Sequence, residues 1–287
     1  ATTTTAIHGR NSAIRATDAR PSPCEPVASG LNAPGRPRQS PARSVATSLR
    51  WHTARVRELR EEAAHARTIV LDDAEWAGHA AGQHVDVRLT AEDGYQAQRS
   101  YSIASAPEEP LALTVQRIDD GEVSPYLTDE LRVDDELELR GPVGGHFTWR
   151  TEDGGPLLLL AGGSGLVPLM AMIRHRLARH DDTETWLLVS SRSLDDLLFA
   201  DELERVATAA GLTVRVALTR AQPVGWRGYA RRVDVEMLAE LGPPPSARPR
   251  AYVCGPTPFV EHAADGLVAL GHAPKAIHAE RFGPSGA

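Results

Sequence analysis

The sequence predicts two joined folds: a small antiparallel β-barrel followed by an α/β domain built on a parallel sheet. Three observations predict this. Between Trp51 and Trp149, five or six short apolar or alternating runs recur, separated by Gly, Pro and Asp clusters. After Gly154-Gly155-Pro156 the texture changes, and strand-like runs alternate with helix-like ones. The first 48 residues hold almost no large apolar residue in register, so they cannot offset the entropy of ordering. The expected division is 1–48 as a disordered leader, 49–152 as the barrel and 153–287 as the α/β domain.

The barrel strands are expected at Arg67–Asp72, Gln83–Leu89, Arg99–Ala104, Leu111–Arg117 and Glu136–Arg140. Alternation puts Val85, Val87 and Leu89 on one face, with Asp86 and Arg88 on the other. In the second half, strand Leu157–Ala161 leads into a helix carrying Leu166, Met170, Ile173 and Leu177 three or four apart. Strand Thr185–Ser190, helix Asp196–Ala210, strand Leu212–Leu218, a helix around Val235–Leu241, strand Ala251–Cys254 and helix Phe259–Leu270 follow. Such alternation buries a parallel sheet on both faces.

Composition narrows the function. The net charge is −7, which gives no general attraction for nucleic acid. Six arginines stand against Asp18 and Glu25 in the leader, leaving 25 basic against 36 acidic residues beyond it. An acidic body suits a basic redox partner, and it is equally an ordinary solvated surface. The basic, Ser-rich leader is read as a dispensable tail, with an organelle transit peptide as the alternative. No apolar run approaches a membrane span. Cys24 and Cys254 make neither a disulfide framework nor an iron–sulfur site, which points to reducing cytoplasm. The 11 histidines form no H-E-x-x-H or Cys/His cluster, so no metal is expected.

Five segments can carry chemistry. In Ala161-Gly162-Gly163-Ser164-Gly165-Leu166-Val167-Pro168 a buried strand ends in glycines and a helix starts at once. Backbone N–H groups there can approach a phosphate, and Pro168 in the first turn forfeits no hydrogen bond. A tight turn with no ligand is the plainer alternative. The next strand ends Ser190-Ser191-Arg192. Without a closing acid, its hydroxyl and guanidinium donors suit the 2′-phosphate of NADPH more than the ribose of NADH. An ordinary surface loop explains them almost as well.

In Arg99-Ser100-Tyr101-Ser102, alternation separates Arg99 and Tyr101 from the two serines. A guanidinium for phosphate, a ring for stacking and a hydroxyl for a ring nitrogen would suit a cofactor, although a polar edge strand has the same pattern. Gly121-Glu122-Val123-Ser124-Pro125 reads as a helix start with Ser124 as N-cap and Tyr126–Leu131 as a short helix. Cys254-Gly255-Pro256 lies at the carboxyl end of a parallel strand, where ligands of such sheets bind. Glu280 and Phe282 place an acid and an aromatic near the chain end.

In this order and at these distances, the segments over residues 50–287 resemble the ferredoxin–NADP(+) reductase superfamily. The likeness is to oxygenase reductases and to the reductase domain of flavohemoglobins. Arg99–Ser102 matches an R-x-Y-S flavin motif, Gly162–Pro168 a G-G-x-G-x-x-P nicotinamide motif, Cys254–Pro256 a C-G-P motif, and Glu280–Pro284 an E-x-F-G-P ending. The resemblance implies bound FAD (or FMN), with NADPH or NADH as hydride donor and a separate redox protein or small molecule as acceptor.

It also implies roles. Arg99 would hold the flavin phosphate, Tyr101 would lie against the ring system and Ser102 would sit near N5, with Ser100 between them. Val115, Gln116 and Arg117 would run beside the flavin's outer half, and Gly121 and Ser124 would bind its diphosphate. Gly162, Gly163, Ser164, Gly165 and Pro168 would pass under the nucleotide diphosphate, with Ser191 and Arg192 beyond it. Cys254, Gly255 and Pro256 would lie near the nicotinamide, and Glu280 and Phe282 would close the other flavin face.

Departures limit the likeness. No four-cysteine segment and no preceding globin are seen, and Arg231 stands where relatives show the second glycine of W-x-G-x-x-G-R. The chain is expected to act as a cytoplasmic monomer. A free flavin reductase, or a non-catalytic nucleotide-binding subunit, is the rival reading.

Overall fold

The computed structural model describes residues 49–283. The leader, with Cys24, and the terminal Pro284 lie outside those residues.

Six antiparallel strands form the first sheet: β1 (His52–Ala63), β2 (Ala66–Asp72), β3 (His84–Thr90), β4 (Gln96–Ser102), β5 (Ala112–Gln116) and β6 (Glu136–Val143). Their order is β4-β3-β6-β1-β2-β5. The sheet curls so that its two edges meet only through an Ile103–Leu113 bridge. It is therefore a barrel with an open seam between β4 and β5. Val56, Ile69, Val85, Val87, Leu113 and Leu139 fill its interior with essentially no exposure. Removing that much apolar surface from water is the main stabilising term of this layer.

Strand β1 carries no apolar alternation and was not among the expected strands. Only Ala54 and Val56 along it are buried, and Glu58 and Glu61 pair with Arg60 and Arg67 instead. Bulges at Val56/Glu58 and Glu61/Ala63 break its period.

The second sheet is parallel, in the order β11-β10-β7-β8-β9. Its strands are β7 (Leu157–Gly162), β8 (Thr185–Ser191), β9 (Leu212–Leu218), β10 (Arg250–Pro256) and β11 (Ile277–Phe282), covered by α1 (Leu166–Ala178), α2 (Ala200–Val206), α3 (Val235–Leu241) and α4 (Thr257–Ala269). β7 is buried along its whole length, as a central parallel strand must be. β11 was not expected from the pattern, because all six of its residues are only half-buried or exposed at the sheet edge.

Two further expectations need correction. The helix expected over Asp196–Ala210 forms only at Ala200–Val206, because Phe199 enters a left-handed conformation at φ 55° and the chain before it turns. The helix expected at Tyr126–Leu131 is a wide single turn over Tyr126–Glu130, with no side-chain cap. Ser124 is not its N-cap: its hydroxyl accepts the N–H of Ile118 at 3.0 Å, closing the preceding loop instead.

The two layers share a core. Trp149 and Ala66 pack into the same buried cluster as Leu159, Leu166 and Met170 of the parallel domain. The β1–β2 hairpin tip also donates Ala64 N–H to the Asp195 carbonyl at 3.3 Å.

Candidate active site

The seam strand comes first. The register pairs Val87 with Arg99 and Val85 with Tyr101, so these two side chains leave the interior face of β4. With β5 linked to this strand's end by one bridge, they project at the opening of the barrel. Tyr101 is partly buried against the core, and burial pushes its phenol well up, so it stays neutral. The Arg99 guanidinium is half exposed and donates to Glu122 Oε2 at 2.7 Å. Glu122 also accepts the Tyr95 hydroxyl at 2.5 Å, and those two partners hold its carboxyl below its usual range. Ser100 faces the outer side, where it donates to Asp86 at 2.6 Å beside Arg140. Among the donors along β4, Arg99 can swing to a phosphate, whereas Ser100 is committed to Asp86.

The nucleotide turn follows β7. Gly163 takes φ 54°, and a Cβ there would meet nothing closer than Gln116 Oε1 at 4.0 Å. Its backbone therefore faces open space. Gly165 is the opposite case: a Cβ would stand 2.0 Å from the Cys254 carbonyl oxygen, so only glycine lets β10 approach the turn. Pro168 is buried in the first turn of α1, as expected.

A cleft of about 220 Å³ opens above this turn. It is lined by Gly162, Gly163 and Ser164 of the turn, by Ser191 and Arg192 at the end of β8, and by Pro256 and Phe282, the last residues of β10 and β11. Gln116 enters it from the barrel's edge strand. The cradle fits a dinucleotide diphosphate: an open glycine backbone, a helix start and a free guanidinium converge on one concave surface. Ser191 is buried, its hydroxyl given to the Ser193 carbonyl at 3.0 Å, so it offers no free proton to a ligand there. Arg192 is exposed.

Three lining residues were missed by sequence reasoning: Asp196, Thr219 and Phe259. Asp196 was assigned to a helix and instead sits in a loop, its carboxylate accepting the Ser193 hydroxyl at 2.7 Å. Thr219 directly follows β9, beyond the carboxyl end of the strand, a position where ligands of parallel sheets collect. Phe259, three residues beyond the C-G-P turn, lies where Cβ atoms on Gly162 and Gly255 would stand, 2.7 and 2.9 Å from its ring.

The third wall is β10 with β11. Cys254 is fully buried and Glu280 partly so. Burial pushes the Glu280 carboxyl up to about 7, with His146 pulling it the other way. The structure thus gathers Gln116, Gly162–Ser164, Arg192, Pro256 and Phe282 around one cleft, sets Cys254 and Glu280 on the strands beside it, and holds Arg99 and Tyr101 at the barrel seam. Ser124 and Gly121 close the loop opposite Arg99, Gly121 close enough that a Cβ would stand 2.9 Å from Ser124 Oγ.

Known proteins share this plan. Residues 60–149 match the oxidoreductase FAD-binding domain and residues 159–265 the oxidoreductase NAD-binding domain. The reductase subunit of an Amycolatopsis aromatic O-demethylase is 32% identical over 249 residues, covering 84% of this chain and 72% of that protein. The glycine betaine monooxygenase reductase subunit of Pseudomonas aeruginosa is 32% identical over 208 residues, and the match spans 56% of its length. Among solved structures, the FAD/NAD-binding domain of Vibrio cholerae nitric oxide dioxygenase superposes with a TM-score of 0.72 at 27% identity, covering 81% of this chain and 98% of that one. The Amycolatopsis cytochrome P450 reductase GcoB gives 0.71 at 31% identity, covering 83% and 71%. With an FAD-binding barrel and an NAD-binding parallel domain in tandem, the chain belongs to the ferredoxin–NADP(+) reductase superfamily.

Proposed function

We propose that this protein oxidises NADPH on a bound FAD and delivers the electrons to a separate redox protein, with an oxygenase component as the partner class. The observation that carries this reading is the shared cleft: Gln116 of the barrel edge, the Gly162–Ser164 turn and Phe282 of β11 line one surface. A nucleotide lying on the turn would therefore reach the barrel seam without leaving the fold. The FAD supplies the hydride-accepting chemistry and the splitting of electron pairs when bound.

The chain's own residues bind, orient and exclude water. Arg99 holds the flavin's phosphate by trading its Glu122 contact, and Tyr101 and Phe282 flank the ring. Ser102 would lie beside it, Val115, Gln116 and Arg117 would follow its outer half, and Gly121 would stand by its diphosphate. Ser124 serves this site through the loop it closes. The Gly163–Gly165 backbone carries the nucleotide diphosphate, with Cys254, Gly255 and Glu280 on the strands beside it; the buried Cys254 thiol stays protonated at neutral pH. Arg192 reads the 2′-phosphate, which favours NADPH.

The reading takes 49–152 and 153–287 as the two working units. It also takes the protein to act as a cytoplasmic monomer, the compartment resting on the scarcity of cysteine; no helix among the described residues is long and apolar enough to cross a membrane. The reductase subunits among the relatives support a protein acceptor.

The test is an absorbance spectrum of the purified protein, then anaerobic addition of NADPH and, separately, NADH. Flavin bands retained through dialysis and bleached faster by NADPH are expected. A protein that stays colourless and inert after reconstitution with FAD overturns the proposal, and flavin lost on dialysis with turnover of added flavin replaces it with a free flavin reductase.

A further inference from the structure

Two consecutive side chains of α1 reach out of the parallel domain and grip the chain that follows β4. The Arg174 guanidinium donates through Nη1 to the Ala104 carbonyl oxygen at 2.6 Å. Through Nε and Nη2 it donates to both carboxylate oxygens of Glu202, at 2.9 and 2.5 Å. Its plane lies over the Phe199 ring at 4.7 Å. Beside it, His175 Nδ1 stands 2.9 Å from Glu108 Oε2, and its ring meets Trp149 edge-on at 5.9 Å. These groups are largely buried, with the Arg174 side chain only 17% exposed.

Their place in the chain matters more than their strength. Ala104 lies two residues past Ser102, at the end of the seam strand. Arg174 sits on the helix that begins directly after Gly165, roughly 12 Å along its axis from the nucleotide turn. One guanidinium on α1 thus ties the chain after β4 of the barrel to α2 of the parallel domain, and neither it nor its partners line the cleft. Hydride transfer needs reacting atoms held about 3–3.5 Å apart, and a misplacement of about 1 Å can cost roughly 10²-fold in rate. A lysine keeps the charge but lacks the planar fork, so it cannot reproduce the bidentate contact with Glu202 together with the bond to Ala104.

We infer that Arg174, braced by Glu202 and seconded by His175, is a positioning residue that sets how the nicotinamide meets the flavin. This rests on the reductase reading above. A residue that only glued the domains together would change stability and leave the chemistry of the folded, FAD-loaded protein untouched.

The experiment uses the full chain loaded with FAD and mixed rapidly with NADPH without oxygen, comparing wild type, Arg174→Lys and Glu202→Gln. Arg174→Lys is expected to lower the limiting rate of flavin bleaching at least tenfold while changing the NADPH Kd less than threefold. The long-wavelength absorbance of nicotinamide stacked on flavin weakens with it. Amide hydrogen exchange over 103–109 accelerates, and FAD stays bound. Glu202→Gln gives a smaller loss in the same direction. A wild-type bleaching rate and absorbance in Arg174→Lys overturns the inference, as does a loss explained wholly by weaker nucleotide binding. Should Arg174→Lys fail to fold, an unchanged rate in Glu202→Gln overturns it and a reduced one sustains it. A wild-type protein that neither nucleotide bleaches overturns the reductase reading instead, and the two failures are thereby told apart.

Discussion

Cys254 and Glu280 stand abreast on neighbouring parallel strands, paired in register between β10 and β11. Burial pushes the Cys254 thiol well up, and the Glu280 carboxylate adds to that. Burial alone drives Glu280 up to about 7, against the pull of His146. Two weak acids thus share one wall, and both resist ionising where a negatively charged nucleotide and flavin are to be accommodated.

Glu280 should leave a signature in stability. Its folded pKa of about 7 exceeds its ordinary 4.5, so between those values the folded state binds more protons than the unfolded one. Stability therefore falls as pH rises from about 4.5 to 7, by up to about 3 kcal/mol, and the loss is complete above 7. Glu280→Gln removes this dependence. Thermal melts at pH 5 and pH 8 should show the variant gaining on wild type at pH 8 only. An equal difference at both pH values would assign the effect to packing.

The Cys254 thiol should be chemically silent in the native protein. It is buried and its thiolate is disfavoured, whereas alkylation needs an exposed thiolate. Iodoacetamide at pH 8, read by peptide mass spectrometry, should leave Cys254 unmodified for hours and label it promptly in guanidinium. Rapid native labelling would mean that β10 opens readily, and would disqualify the strand as a fixed support beside the cleft.

Much of this was legible in the sequence where physics is local. Val85, Val87 and the β7 run announce strands because each buries a whole face, and Gly165 announces a turn because a backbone must pass where a Cβ would be. Strand β1 was hidden because ion pairs such as Arg67–Glu61 cover it in place of apolar alternation. Asp196 and Thr219 were hidden for a different reason: they reach the cleft through loop geometry and sheet order, which no single segment encodes. The misassigned cap at Ser124 shows the same limit, since its partner, the Ile118 N–H, lies six residues back in a closed loop and not in the helix ahead. The Arg174–Ala104 contact joins residues 70 apart and has no sequence signal at all.

Gly165 offers the cleanest separation of the two cofactor sites. A Cβ at this position meets the Cys254 carbonyl oxygen at 2.0 Å and its carbon at 2.4 Å. Both are backbone atoms, so no rotamer change relieves the clash, and overpacking of this kind costs about 1–3 kcal/mol. Gly165→Ala should weaken NADPH binding at least tenfold by calorimetry while FAD retention stays near wild type, because the barrel seam is untouched. Equal loss of both would mean that the turn supports the whole fold.

On the proposed reading, the coenzyme preference turns on two opposed charges that both line the cleft, Arg192 and Asp196. Arg192 follows β8 and is exposed, so its guanidinium can meet a 2′-phosphate, while the Asp196 carboxylate, held by Ser193, opposes one. A hydrogen bond to a charged group contributes about 1.5–3 kcal/mol, or roughly 10- to 100-fold in affinity. Arg192→Ala should therefore lower kcat/KM for NADPH at least tenfold and leave NADH within threefold. Asp196→Ser should act in the other sense, raising the NADPH preference severalfold by removing the repulsion. Steady-state kinetics with both nucleotides decides the matter. If Arg192→Ala depresses NADPH and NADH equally, Arg192 contacts the part the two share, the diphosphate or the ribose, and discrimination must come from another part of the cleft.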